Sequence, residues 1–310
     1  MPNPLRPLLL AAAKSAQFKK IVVALPMTRK VVNRFVSGET MDDCVKALKD
    51  LSVRGIYSTV DYLGENTKSV SDAEAAKTAC LALVARLKDE GLTQWTEVSI
   101  KLTSLGLDLP DGSDIAYDNA RQICDAVAEA GTTLTVDMED HTSTDKTLAV
   151  VDRLRETYPW VGTVLQAALH RTVSDAERYA GPGSRIRLCK GAYLEPPEVA
   201  FQGRAEVDAA YRRALKVLMN GEGRPMVASH DPRMIQAATE TALRAGRSAD
   251  SFEFQMLYGI RADEQQRLAD AGYKMTVYVP YGTDWWGYFI RRLAERPANL
   301  LFFLRALFGN

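Results

Sequence analysis

An α/β chain closed into a (β/α)8 barrel of the TIM type is the fold class this sequence predicts, and three observations predict it. Eight short runs rich in β-branched and apolar residues alternate with helical patterns. The alternation fills roughly 250 residues, the usual size of such a barrel. No low-complexity linker interrupts it, so the chain reads as an N-terminal helical arm (1–39) and one barrel catalytic domain (40–310).

The elements follow in order. The arm lacks the strand rhythm and reads as short helices around MTRKVVNRFV, packed on the barrel. The strand runs are GIYSTV (55–60), EVSIKL (97–102), TTLTVD (132–137), GTVLQA (162–167), RIRLC (185–189), PMVAS (225–229), SFEFQ (251–255) and KMTVYV (274–279). A helix from Ser113 places Ile115, Ala116, Ala120, Ile123, Cys124 and Val127 on one face and stops at Gly131. Ser174 is expected to cap a helix ending near Gly181, and Asp231 one whose first position is Pro232. A doubly wound open sheet has the same alternation and competes, because periodicity does not report closure. The one glycine pattern suggesting a nucleotide, GPG at 181–183, precedes a strand, whereas the dinucleotide fingerprint needs strand, glycine turn and helix in that order. That excludes the Rossmann reading.

After the last strand, a helix beginning near Asp284 puts Tyr288, Arg291, Arg292 and Glu295 on one face and Trp286, Phe289, Ile290 and Leu293 on the other. The ordinary expectation for such a helix is apolar side inward and arginines in water. A more apolar helix, ANLLFFLRALF (298–308), follows and is the better candidate for the barrel wall. The arginine helix is then free to cap the barrel mouth.

Composition narrows the function classes. The 310 residues carry 39 basic and 39 acidic side chains, so no general electrostatic pull toward nucleic acid or anionic membrane exists. Cys44, Cys80, Cys124 and Cys189 form no CxxC pair and read as buried thiols in a reducing compartment. His141, His170 and His230 are not at metal-ligand spacing, and no metal is expected. The apolar run from Leu8 to Ala13 is shorter than the roughly 7 to 15 residues of an export signal. No window offers the roughly 20 apolar residues of a membrane span, so a cytoplasmic protein is expected.

The polar residues at the strand ends point to a site. They are Asp61, Lys101, Asp137, Gln166, Lys190, His230, Gln255 and Tyr278, one for each run. In a parallel barrel these ends share the face where substrates bind. Any one of them is equally explained by solvent at a strand end; eight together favour a site. Lys101 stands inside VSIKL, a strand otherwise suited to burial, and Asp137 on the neighbouring strand is its expected partner. A purely structural ion pair is the alternative. Arg187 and Lys190 lie in RIRLCKGAY, where Gly191 and Ala192 permit close backbone approach and Tyr193 offers a flat wall. That basic strand end suits a phosphate or an anionic ring. Arg291 and Arg292 present planar donors matched to a carboxylate. With Lys101 they make three cations, partly balanced by Glu295 and Asp137, around a place for a small acid.

The motifs SIKL, VDMED, RLCKGAY, ASH, FEFQMLYG and YVPYG followed by YFIRRLAE stand in that order and resemble proline dehydrogenase, the FAD-dependent barrel family of proline catabolism, in its single-function bacterial form. The similarity runs from about DYLGE (61–65) to ERPAN (295–299). It implies that Lys101, Arg291 and Arg292 hold the proline carboxylate, with Asp137 and Glu295 orienting those cations. Tyr193, Leu257, Tyr278 and Tyr288 become walls around the pyrrolidine ring. On the cofactor side Arg187 matches the residue near flavin N5, and Gln166, Lys190, Gly191, Ala192, Ser229 and His230 match positions along the isoalloxazine and its tail.

The chain departs from the family pattern in two places. Ser229 and His230 stand where many relatives have Thr-His, which keeps a hydroxyl, and the loop between Tyr278 and Tyr288 is shorter than in bifunctional relatives. The chain also ends soon after the last helix, so a separate 1-pyrroline-5-carboxylate dehydrogenase is the implied downstream partner. The implied reaction takes hydride from the ring carbon beside the proline nitrogen to the flavin, with a quinone as electron acceptor and peripheral contact with the inner face of the membrane. A related flavoenzyme preferring hydroxyproline, or a non-catalytic barrel that senses proline, are the competing readings.

Overall fold

The computed structural model describes residues 32–64 and 67–295, and for 293–295 the backbone alone. Most of the expected arm, the 298–308 helix and the Glu295 side chain lie outside the described residues. Eight parallel strands close into a ring in chain order: β1 Tyr57–Tyr62, β2 Thr96–Ile100, β3 Leu134–Val136, β4 Gly162–Gln166, β5 Arg185–Cys189, β6 Arg224–Ala228, β7 Glu253–Leu257 and β8 Lys274–Tyr281. β8 pairs with β1 from Tyr57↔Thr276 to Tyr62↔Tyr281, which settles closure against the open sheet.

Helix α1 (Met41–Val53) precedes β1. Then α2 (Val70–Asp89), α3 (Gly112–Ala130), α4 (Thr144–Thr157), α5 (Thr172–Tyr179), α6 (Arg204–Asn220), α7 (Pro232–Arg244) and α8 (Ala262–Asp270) follow the first seven strands, and α9 (Trp286–Glu295) follows β8. Local chemistry sets their ends. Thr40 and Asp43 form a reciprocal capping box at the start of α1. Gly131 stops α3 with φ 72, a left-handed conformation that costs a residue with a Cβ roughly 1–2 kcal/mol. Asp231 caps α7 by accepting from the Arg233 N–H, with Pro232 in the first turn. Ser174 does not cap α5. The helix starts two residues earlier behind Arg171, which puts Ser174 inside the first turn, where its hydroxyl donates back to the Arg171 carbonyl at 2.7 Å.

The strands sort their side chains by alternation. Val60, Val98, Ile100, Leu134, Val136, Ile186, Leu188, Val227, Phe254, Met256, Val277 and Val279 belong to one apolar core with the inner faces of the helices. The intervening residues, among them Thr59, Glu97, Ser99, Arg185, Arg187, Glu253 and Gln255, are buried and bond across the ring. Barrel interiors are usually filled by branched aliphatic side chains. This one is filled by hydrogen-bonded charge.

A second apolar cluster joins Val32, Phe35, Val36 and Leu63 to Trp285, Trp286, Tyr288, Phe289 and Ile290, with Ile260 and Tyr278 packed against it. Leu63, Ile260 and Tyr278 stand at the C-terminal ends of β1, β7 and β8, so α9 buries its apolar side on the mouth of the barrel.

Candidate active site

The centre of the barrel is organised by Arg187 on β5, 5% exposed. Its Nε donates to Oε1 of Gln255 on β7 at 2.7 Å, and one terminal nitrogen donates to Asp137 just past β3. The other reaches Thr59 Oγ1 on β1 at 3.1 Å, Ser99 Oγ at 3.1 Å and Glu97 Oε1 at 3.2 Å, both on β2. Five partners from four strands of the ring hold one planar group in place. Below it, Glu97 also accepts from Arg185. Burial alone would raise the Glu97 carboxyl, but Arg185 and Arg187 outweigh it and hold it at about 2.

Toward the mouth lies a second group. Lys101, 8% exposed, follows β2 directly, and its ammonium sits 2.5 Å from Oδ2 of Asp61 on β1, 3.3 Å from the Tyr278 hydroxyl on β8 and 3.7 Å from Oδ2 of Asp137. The nearer carboxylate is therefore Asp61 and not Asp137, which corrects the expected pairing. Asp137 is committed elsewhere: Oδ1 accepts from Arg187 and Oδ2 from the Tyr278 phenol at 2.7 Å. Burial pushes the Asp61 carboxyl up, with Asp137 adding to the rise and Lys101 opposing it. Burial, then Asp137 and Asp61, raise the Tyr278 phenol well above 10, so it acts as a donor.

Over this group lies α9. Arg292 is 8% exposed and its guanidinium stacks 5.0 Å from the Tyr288 ring; that of Arg291, partly exposed, stacks 5.7 Å from Tyr193 in the loop after β5. The charge of Arg292 is felt by Cys189 at the end of β5. Arg292 is thus buried near the end of β5 rather than in bulk water, while Arg291 stays partly exposed beside Tyr193. Tyr278 links the two levels, since its hydroxyl meets Lys101 and its ring packs against the α9 cluster. Leu257 ends β7, and its N–H donates to Nε2 of His230 at 2.9 Å. His230 therefore braces Leu257 with a ring nitrogen that carries no proton.

On the β4–β6 side the strand ends form a shelf of small, partly exposed residues: Ala168, Gly191, Ala192 and Ala228. Gly191 has φ +103, and a Cβ there would stand 3.2 Å from Ala168 Cβ and 3.4 Å from Gln166 Oε1. Gln166 is fixed by its own bond to the Glu139 carbonyl at 2.7 Å. Lys190 lies between Asp208 at 2.5 Å and Asp231 at 2.8 Å, and Ser229 Oγ accepts from the Asp231 N–H at 3.1 Å. A flat shelf without projecting side chains, edged by amide, hydroxyl and ammonium groups, fits a planar ring with a polar tail such as a flavin.

The geometry also brings in Glu97, Ser99 and Thr59, which the strand-end set did not include, and gives partners to Asp61 and Gln255, which that set named without a specific role. The pattern was present in the sequence: Glu97, Ser99 and Lys101 fall on every second residue, as do Thr59 and Asp61, Arg185 and Arg187, Glu253 and Gln255. A strand covered on both faces should read as a continuous apolar run, so polar residues at a period of two report a polar interior.

Comparison with known proteins agrees with the motifs. Residues 44–305 match the proline dehydrogenase family. The chain is similar to proline dehydrogenase 1 of Bacillus subtilis (strain 168), 38% identical over 280 residues that cover 90% of this chain and 91% of the relative. It is similarly related to the proline dehydrogenase of Deinococcus radiodurans, 39% identical over 280 residues, covering 89% of this chain and 90% of that one. Among solved structures, proline utilization A from Bdellovibrio bacteriovorus, inactivated by N-propargylglycine, superposes with a TM-score of 0.83 at 24% identity, covering 98% of this chain. This chain spans 39% of that longer protein, and the likeness establishes the barrel fold.

Proposed function

We propose that this chain, a member of the proline dehydrogenase family that oxidises proline, has its substrate lose hydride from the ring carbon beside the nitrogen to a bound flavin and the amine proton to solvent, which yields 1-pyrroline-5-carboxylate. FAD, when bound on the β4–β6 shelf, supplies the two-electron acceptor. Gln166, Arg187, Lys190, Gly191, Ala192, Ser229 and His230 are the residues that would hold and tune it.

The protein's own part is position and charge. Lys101, Arg291 and Arg292 grip the substrate carboxylate, and Tyr193, Leu257, Tyr278 and Tyr288 wall in the ring. Asp137 steadies the grip through Tyr278 and Arg187, and Glu295 belongs to the same assignment. The amine must be neutral before its lone pair can drive hydride out. Desolvation between the aromatic walls and the three nearby cations favour that neutral form, with solvent taking the proton. Arg187 supplies positive charge beneath the reacting face.

One observation carries this reading: Lys101 and Arg292, both largely buried, belong to levels joined by Tyr278. Buried cations gathered at an open mouth suit an anionic ligand. Anaerobic addition of proline to the flavin-loaded protein should bleach the flavin absorption, and a quinone analogue should restore it. Bleaching by hydroxyproline in place of proline would redirect the substrate assignment, and no bleaching by either would end it.

Electron transfer to a quinone implies at least transient contact with a bilayer. Among the described residues no helix is long and apolar enough to cross a membrane; the proposed location is the cytoplasm, with peripheral contact at the inner face of the membrane. A separate 1-pyrroline-5-carboxylate dehydrogenase consumes the product.

A further inference from the structure

We infer that Asp61 is a positioning residue for proline oxidation, the counter-ion that holds the Lys101 ammonium charged and in place beneath the substrate carboxylate. The inference rests on the assignment of Lys101 to that carboxylate. Three features carry it.

First, the distances rank the partners. Asp61 Oδ2 is 2.5 Å from the Lys101 nitrogen, against 3.7 Å for Asp137 Oδ2. Second, Asp137 has other duties, because its two oxygens serve Arg187 and Tyr278. Pulling Asp137 toward Lys101 would loosen Arg187 at the centre of the barrel. Third, Asp61 is 1% exposed, so its charge has no recourse to solvent. A buried carboxylate and a buried ammonium in contact sustain one another, and removing either leaves the other strongly disfavoured.

The position of Asp61 in the chain gives the pairing its stiffness. Asp61 lies on β1 within the ladder to both neighbours, opposite Ser99 on β2 and Pro280 on β8. Lys101 extends one residue beyond β2 on a long flexible stem. A fixed carboxylate therefore determines where a mobile ammonium stands. The groups that face Asp61 are Lys101, Asp137 and Tyr278 at the mouth, with Cys80 from α2 and Tyr281 from β8 on its outer side. Of these groups, all among the described residues, Lys101 carries the positive charge nearest Asp61.

The test is a double-mutant cycle on the flavin-loaded protein. D61N should raise the proline KM about tenfold and K101M at least as much, with flavin content unchanged in both. The double variant D61N/K101M should be no worse than K101M alone within about twofold, because Asp61 acts through Lys101. The alkaline limb of kcat/KM should also move to lower pH in D61N, since an ammonium without its counter-ion loses its proton more readily. D61E, which retains the charge one methylene further out, should recover part of the loss, and D61S replaces D61N in the cycle if D61N does not fold.

A KM in D61N within twofold of the parent, or penalties that multiply in the double variant, would overturn the role of Asp61 while leaving the carboxylate grip standing. An unchanged KM in K101M would instead remove Lys101 from the substrate, and Asp61 with it.

Discussion

The phenol of Tyr278 donates to Oδ2 of Asp137 across 2.7 Å, tying the eighth strand to the end of the third over the open side of the barrel. Tyr278→Phe keeps the ring wall and removes the donor. We expect kcat/KM for proline to fall about tenfold, on the order of 1 to 2 kcal/mol for a buried bond to a charged acceptor. Because burial and the two aspartates hold this phenol well above 10, the parent should show no activity limb from Tyr278 below pH 10. Steady-state kinetics across pH checks both statements.

Arg291→Met and Arg292→Met should each raise the proline KM about a hundredfold, on the order of 2 to 3 kcal/mol for a lost charged contact. The two differ in a second readout. Arg292 is buried on Tyr288 and Arg291 is partly exposed on Tyr193, so Arg292→Met should also lower the melting temperature. Unchanged KM values in both variants would remove the carboxylate grip.

The low Glu97 carboxyl makes folding sensitive to acid. Its folded value of about 2 lies below the ordinary 4.5. Its stabilising contribution is therefore complete above the ordinary value and is lost as pH falls through about 2. Glu97→Gln should flatten that part of the acid limb. It should also cost about 3 to 5 kcal/mol at neutral pH, because Arg185 and Arg187 lose their shared partner. Urea unfolding of parent and variant at pH 7 and pH 3 measures both effects.

Gly191→Ala tests the cofactor shelf. The backbone there has φ +103, and an added Cβ meets Ala168 at 3.2 Å. Strain of about 1 to 3 kcal/mol should shift the loop after β5 and lower flavin content at purification, with the helical signal unchanged. Full flavin content would place the ring elsewhere.

The barrel was legible because each strand is an apolar or β-branched run bounded by turn residues, and β4 and β5 fall on GTVLQA and RIRLC almost residue for residue. The SFEFQ run lies two residues early: Ser251 and Phe252 precede the ladder, while Met256 and Leu257 pair with Val277 and Tyr278. The strand-end residues were legible as a set, since a parallel ring forces its ends to one face. The identity of partners was not. Lys101 is flanked by carboxylates from β1 and β3, and which is nearer depends on the stagger of adjacent strands and on Arg187 claiming Asp137 from across the ring. Neither is written in the local pattern. Glu97 escaped for a related reason: near the start of a strand a glutamate reads as solvated, and only the arginines of β5 draw it inward.

The charged filling of the barrel shapes how the protein can change over generations. Each of Glu97, Arg185, Arg187 and Asp137 answers to at least one of the others, so a lone replacement strands its partners in a dry interior. Descendants should swap these positions in compensating sets or leave them alone, while the aliphatic outer faces of the same strands drift singly. Laboratory selection for a new substrate would then find its freely variable sites in α9 and the loops above, over a centre that resists stepwise revision.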